Sequence, residues 1–299
     1  VPVGVPPGPG KGGGGLMELW YALVDLLPFE WAQPGHMYFM KNALLAVLVI
    51  SPLFGILSTM VVQSRMSFFS DALGHSAFTG MAIGSIAGLF AEPLWCAVLF
   101  AILFALLFTF VRRRTSLASD TVIGVFSSTA VALGIFIATL GGQSFTKFNA
   151  LLIGDILSVE PGKIGLLALI LLVVVVLWAC SFNHLMLSAV HPALADSRGI
   201  RVFWQEALFS VAIAVVVTIS MTWVGLLVIN SLLVLPAAMA RNVARNMRQY
   251  HLFYLLGAVA AGIGGLMMSY YIDASAGASI TLCLAALFLV TFFFRKQRQ

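Results

Sequence analysis

The sequence predicts an all-α, polytopic membrane chain with about eight to nine transmembrane helices. Two observations carry most of that prediction. The 299 residues are 61% hydrophobic and only 9% charged, against roughly 25% charged in a soluble domain. Charges this sparse cannot cover a water-soluble surface, which argues against the soluble and disordered classes. The apolar residues also fall into long runs, of the roughly 20 residues that a helix needs to cross a bilayer. A helix satisfies its own backbone hydrogen bonds, as lipid demands, and alternating strands of the barrel type are absent.

The elements follow in chain order. Residues 1–16 are rich in Gly and Pro, with a glycine run at Gly12–Gly15. They read as a disordered extension that packs no core, with Met17 a candidate natural start. The extension lacks the apolar centre of a signal peptide. It also fails the phosphate-loop pattern, because Val5 and Gly12 stand where Gly and Ser or Thr are needed. Residues 17–38 form an external interfacial lead-in, with an amphipathic helix over 17–31 whose Trp20, Tyr21 and Trp31 suit a membrane surface. The transmembrane domain is 39–299. Its candidate spans are 39–62, 66–90, 92–111, 118–140, 163–182, 202–222, 223–240, 251–271 and 276–294, or eight spans if 223–240 is only partly inserted. Ser119–Asp120 opens one span, with Asp120 as its N-cap. Within the 141–162 connection, 148–157 is apolar enough for a short helix. The segment 184–201 reads as a short helix between two spans, ending near Gly199.

The net charge of +5 is an orientation signal rather than a nucleic-acid footprint. With the Arg113 loop assigned to the cytoplasm and the sides alternated, 12 of the 16 basic residues fall inside. Lys11, Lys41, Lys147 and Lys163 fall outside. That bias is the positive-inside pattern. It puts the N-terminus outside and the C-terminus in the cytoplasm. Cys96, Cys180 and Cys283 lie singly in apolar runs and form no paired motif.

The residues with chemistry concentrate in FFSDALGHSAFTGMAIG, residues 68–84. Asp71 and His75 are spaced i, i+4 and project from one helix face, which Thr79 continues. Ionisable groups inside a span face the protein interior and mark a pathway. Asp and His are also good ligands for Zn²⁺, Mn²⁺ and Fe²⁺. One helix supplies two ligands, and a two-fold dimer would supply four. The residue pattern alone leaves open a second reading, an Asp–His hydrogen bond that only stabilises the helix. Ser76, Gly80, Gly84 and Gly88 recur every four residues beside this face and suit close helix packing. Asn230 and Ser231 interrupt the apolar run 224–235, and Pro236 follows. Asn230 and Pro236 are therefore candidates for gating that span.

Four stretches in order, SDALGHSAFTG at 70–80, SDTVIGVFSSTAVALG at 119–134, VGLLVINSLLVLPAAMAR at 224–241 and SYYIDASAGASI at 269–280, resemble a known family. It is the permease subunits of bacterial metal-ion ATP-binding-cassette importers, the zinc, manganese and iron(II) uptake class. The resemblance covers roughly residues 40 to 295. It implies a non-enzymatic transport subunit in the bacterial cytoplasmic (inner) membrane, paired with a second copy or close relative. Cytoplasmic ATP-binding subunits and an extracytoplasmic metal-binding protein would be its partners. No cofactor is bound permanently; Zn²⁺ or Mn²⁺, or Fe²⁺, is cargo. Asp71 and His75 match the family's ion-path residues. The segment 184–201, with His191, Pro192, Asp196 and Gly199, matches its ATPase-docking region. Here the chain departs from the pattern, since His191 stands where the family often has Asp before Pro. The alternatives are a permease for a metal chelate or corrinoid, and a proton-coupled secondary transporter using Asp71 and His75 as the relay.

Overall fold

The computed structural model describes residues 15–34, 37–88, 93–140 and 154–294. The apolar runs become helices, and no strand occurs among the described residues. After α1 (Gly15–Val24) come α2 (Tyr38–Gln63), α3 (Phe69–Ala87), α4 (Pro93–Arg114), α5 (Ser119–Leu140) and α6 (Pro161–Val190). Then follow α7 (Pro192–Ser197), α8 (Val202–Val224), α9 (Leu226–Val243), α10 (Met247–Ile272) and α11 (Ala276–Phe293). Most of the expected extension, residues 1–14, and residues 148–153 of the expected loop helix lie outside the described residues.

Eight helices are long and apolar enough to cross a membrane: α2, α4, α5, α6, α8, α9, α10 and α11. The ninth expected span is α3, and it is absent from that set. The sequence placed the doubt on 223–240, yet α9 qualifies and α3 does not. The physical reason is position. α3 lies between α4 and α5 and also touches α8 and α9. Most of its side chains, including Ser70, Ser76 and Thr79, are buried. A helix shielded by neighbours does not need the apolar surface that lipid imposes. At the other extreme, α6 turns Leu169, Leu172, Val173 and Val176 outward, an apolar face suited to lipid.

The helices fall into two packed groups. In one, α3 pairs with α4 and α5, and α4 packs on α8. In the other, α9, α10 and α11 pack on one another, and α2 packs on α6, α9 and α10. Two prolines sit inside helices, Pro52 in α2 and Pro236 in α9, and both helices run on past them. The break between α8 and α9 comes at Gly225, two residues later than the sequence suggested, with φ 86° and ψ 145°. Gly154 presses against it. A Cβ on Gly154 would stand 2.2 Å from the Gly225 nitrogen, so both positions need glycine.

The lead-in helix starts earlier and ends sooner than the expected 17–31. α1 begins at Gly15, so the boundary at residue 16 falls inside a helix. Lys41, fully buried in α2, pairs with Asp25 and donates to the Gln33 carbonyl. Trp20 Nε1 donates to the Lys41 carbonyl at 3.0 Å, and the Tyr21 hydroxyl donates to Asn42 Oδ1 at 2.8 Å. Burial raises the Tyr21 phenol above its ordinary value, although the Asn42 hydrogen bond opposes this, so the phenol remains a donor at neutral pH. Asp120 also departs from expectation. The helix begins at Ser119, which puts Asp120 in the first turn rather than at the cap. Its charge there complements the helix dipole.

Candidate ion site on α3

α3 starts just after a tight turn in which Arg65 adopts a left-handed φ of 54°. Phe69 anchors that start by stacking on Phe108 of α4, with ring centroids 4.5 Å apart. Further along, a Cβ on Gly80 would stand 2.6 Å from the Ala97 Cα, and one on Gly84 2.7 Å from the Cys96 Cβ. Those two glycines therefore bring α3 and α4 into contact, as their spacing suggests. Gly88 does not share this role within the chain. It is the left-handed C-cap of α3, with φ 58°, and a Cβ there would meet open space. The i, i+4 stripe outruns the helix at that point.

Gly74 sets the site. A Cβ on it would stand 2.4 Å from Leu226 Cδ2, so α9 approaches α3 closely at that level. The close approach brings Asn230 to Asp71, whose Oδ1 accepts a hydrogen bond from Asn230 Nδ2 at 3.2 Å. The other carboxylate oxygen, Oδ2, faces His75 Nε2 at 3.4 Å. The i, i+4 pair thus meets on one face, as the spacing requires. The His75 side chain is 16% exposed and that of Asp71 42%. The carboxylate therefore opens to the surface of the single chain. Thr79 does not continue this face. It is buried, and its hydroxyl donates to the His75 and Ala130 carbonyls, tying α3 to α5.

Asp71 and His75 offer oxygen and nitrogen donors side by side, a set suited to a divalent transition-metal ion. Among the described residues no group of three or more His, Cys, Asp or Glu is gathered anywhere. Asn230 was expected to interrupt its helix and gate that span, not to bond Asp71. Its link to Asp71 spans 159 residues of sequence, and no local pattern carried it. Gly74 lies within the motif, but off the four-residue stripe that drew attention to Gly80 and Gly84. Pro236 is buried within α9.

A second polar region lies at the arginine-rich end. A cavity of about 470 Å³ is lined there by Arg65, Arg112, Arg241, Ser188 and Glu206, among others. Arg112 donates to Met66 Sδ at 3.0 Å and to the Ser64 carbonyl at 3.4 Å, and Arg113 Nε lies 4.0 Å from Glu206 Oε2. The ends of α2, α4, α6 and α9 thus meet at one side of the bundle. Beside them, α6 ends at Val190, so residues 184–190 belong to the long helix rather than to the expected short one. His191 has φ −138° and ψ 78°, a non-helical backbone, in keeping with a following proline's exclusion of the α region. α7 then runs for six residues. His191, Asp196 and Gly199 are exposed, and Gly199 turns the chain with φ 75°.

Residues 36–295 match the ABC 3 transport family. The chain belongs to that family. It is 31% identical over 275 residues to a manganese import system permease protein, ScaB, of Streptococcus gordonii, covering 90% of this chain and 96% of that one. It is 29% identical over 255 residues to a high-affinity zinc uptake system membrane protein, ZnuB, of Haemophilus influenzae, covering 85% and 97%. Among solved structures it resembles PsaBC from Streptococcus pneumoniae, in complex with Fab. The TM-score is 0.74 at 27% identity, over 94% of this chain and 97% of the other.

Proposed function

We propose that this chain is the membrane-spanning permease subunit of an ATP-driven importer of divalent transition-metal ions, manganese or zinc, with iron(II) as the third candidate. The observation that carries the reading is the Asp71–His75 pair on a polar helix held inside an otherwise apolar bundle. Ionisable groups in such a place are costly in lipid and mark an ion path. The relatives' names supply the transport class, and the donor set suits the ions in those names.

Two copies work together. A carboxylate as exposed as that of Asp71 is costly against lipid, and a second copy facing it would cover the charge and complete a four-ligand site. ATP is hydrolysed by separate cytoplasmic subunits, which dock on α7 and its flanks through His191, Pro192, Asp196 and Gly199. An extracytoplasmic metal-binding protein delivers the ion. The chain lies in the bacterial inner membrane with its arginine-rich end and C-terminus in the cytoplasm and its N-terminus outside. In transport, the ion sheds water onto the Asp71 and His75 donors. Movement of the two helix groups, driven by the ATPases, then reshapes that site so that the ion is released inward. Binding must be strong enough to select and weak enough to leave.

The test is uptake of radioactive Mn²⁺ and Zn²⁺ into proteoliposomes holding this chain, its ATPase and its binding protein, with and without ATP. Uptake that requires ATP is expected. Uptake that proceeds equally without ATP points to a proton-coupled carrier, and no uptake of either ion or of Fe²⁺ in the same assay points to a chelate permease. Both outcomes overturn the proposal.

A further inference from the structure

Asn230 carries a feature that the Asp71–His75 pair does not use. A carboxylate only accepts hydrogen bonds, so the amide nitrogen of Asn230 must face Asp71, as it does at 3.2 Å. The amide oxygen, Oδ1, is then left buried, and it accepts no hydrogen bond among the described residues. Buried polar atoms are nearly always satisfied, and an exception calls for an explanation. Because both heteroatoms share one carbon, that oxygen is held near the Asp71 carboxylate.

We propose that Asn230 Oδ1 is a third donor to the transported ion in each chain, while Asn230 Nδ2 holds Asp71 in place, and that this donor biases the site toward Mn²⁺ over Zn²⁺. The inference rests on the reading of Asp71 and His75 as ion ligands. Asp71 and His75 from two copies give two oxygens and two nitrogens, a four-donor set that suits tetrahedral Zn²⁺. Adding Asn230 from each copy gives four oxygens and two nitrogens. A six-donor, oxygen-rich shell suits Mn²⁺. A neutral carbonyl also adds no charge, so the ion is held less tightly than by a further carboxylate and remains releasable. Asn230 sits on α9, in the helix group opposite α3. A shift between the groups would therefore withdraw this donor and the hold on Asp71 together.

The test measures Mn²⁺ and Zn²⁺ affinity, and uptake of each ion, for the assembled full-length transporter in lipid nanodiscs or proteoliposomes. Asn230→Leu removes the donor at similar size. Asn230→Asp keeps an oxygen at the position. Asp71→Ala serves as the control for the underlying site. Expected for Asn230→Leu is a loss of Mn²⁺ affinity of about tenfold or more, with a smaller loss of Zn²⁺ affinity from the lost hold on Asp71, so that the Mn²⁺:Zn²⁺ preference falls. Asn230→Asp is expected to hold that preference. A purely structural Asn230 would lower both ions equally in Asn230→Leu. That result, or an unchanged ratio, overturns the inference even if Asp71→Ala abolishes uptake. Normal binding in Asp71→Ala overturns the underlying site reading itself.

Discussion

At the scale of single residues, position within the bundle decides what each polar group can do. Asp71 and His75 lie one helical turn apart, so their pairing follows from local geometry and was legible in the sequence. The Asn230–Asp71 bond was not, because it depends on how α3 crosses α9, and that crossing depends on Gly74 meeting Leu226. Lys41 shows the same limit. Its sequence context gave an external charge, whereas the fold buries it completely against Asp25 and Gln33. Replacing Asp25 with Ala would leave a buried ammonium without its carboxylate. Breaking a fully buried pair costs about 3–5 kcal/mol, and the partial exposure of Asp25 reduces this to about 2 kcal/mol. The expected outcome is release of α1 from α2, read as faster amide exchange over Gly15–Val24. Unchanged exchange there would show that Trp20 and Tyr21 suffice to hold it.

At the scale of elements, the apolar runs gave the helices because lipid crossing demands length and hydrophobicity together. They could not rank α3, whose polar side chains are tolerated through burial by α4 and α5 rather than through hydropathy. They also extended the small-residue stripe to Gly88, since a four-residue spacing does not reveal where a helix stops. Gly80 is different, because the atoms facing it are backbone or, for Phe100 Cβ, fixed to it. Gly80→Ala would put a methyl group 2.6 Å from the Ala97 Cα and 2.9 Å from the Cys96 carbonyl. That overpacking is expected to cost about 1–3 kcal/mol, read as a lower thermal unfolding midpoint in detergent. The same change at Gly124, where a Cβ meets nothing within 4 Å, is expected to leave the midpoint unchanged or raise it slightly. Equal effects at both positions would refute a contact-based role for Gly80.

At the scale of the whole molecule, the bundle has polar features at two levels, the Asp71–His75–Asn230 cluster and the arginine-rich end with α7. Under the proposed function the two communicate. A chain of packed helices joins them, since α7 follows directly on α6, α6 packs on α2, and α2 packs on α9. The exposed turn at Gly199, with φ 75°, fixes the exit of α7. Gly199→Val would strain that turn by about 1–2 kcal/mol. It is expected to weaken co-purification of the ATPase while leaving Mn²⁺ and Zn²⁺ binding by the permease intact. Loss of ion binding with ATPase docking preserved would place the coupling surface elsewhere. The short helix α7 was legible from the segment between two spans. Its length was not, because α6 continues through residues 184–190 without any break signal before Pro192.

The most direct measurement is ATP-driven Mn²⁺ and Zn²⁺ uptake by proteoliposomes of the parent transporter beside Asp71→Ala and His75→Ala, with ATPase docking checked in each. An ion path through α3 requires that both substitutions abolish uptake while the assembled complex persists. Uptake at the parental rate by both variants would contradict it and leave the pair as a helix-stabilising hydrogen bond.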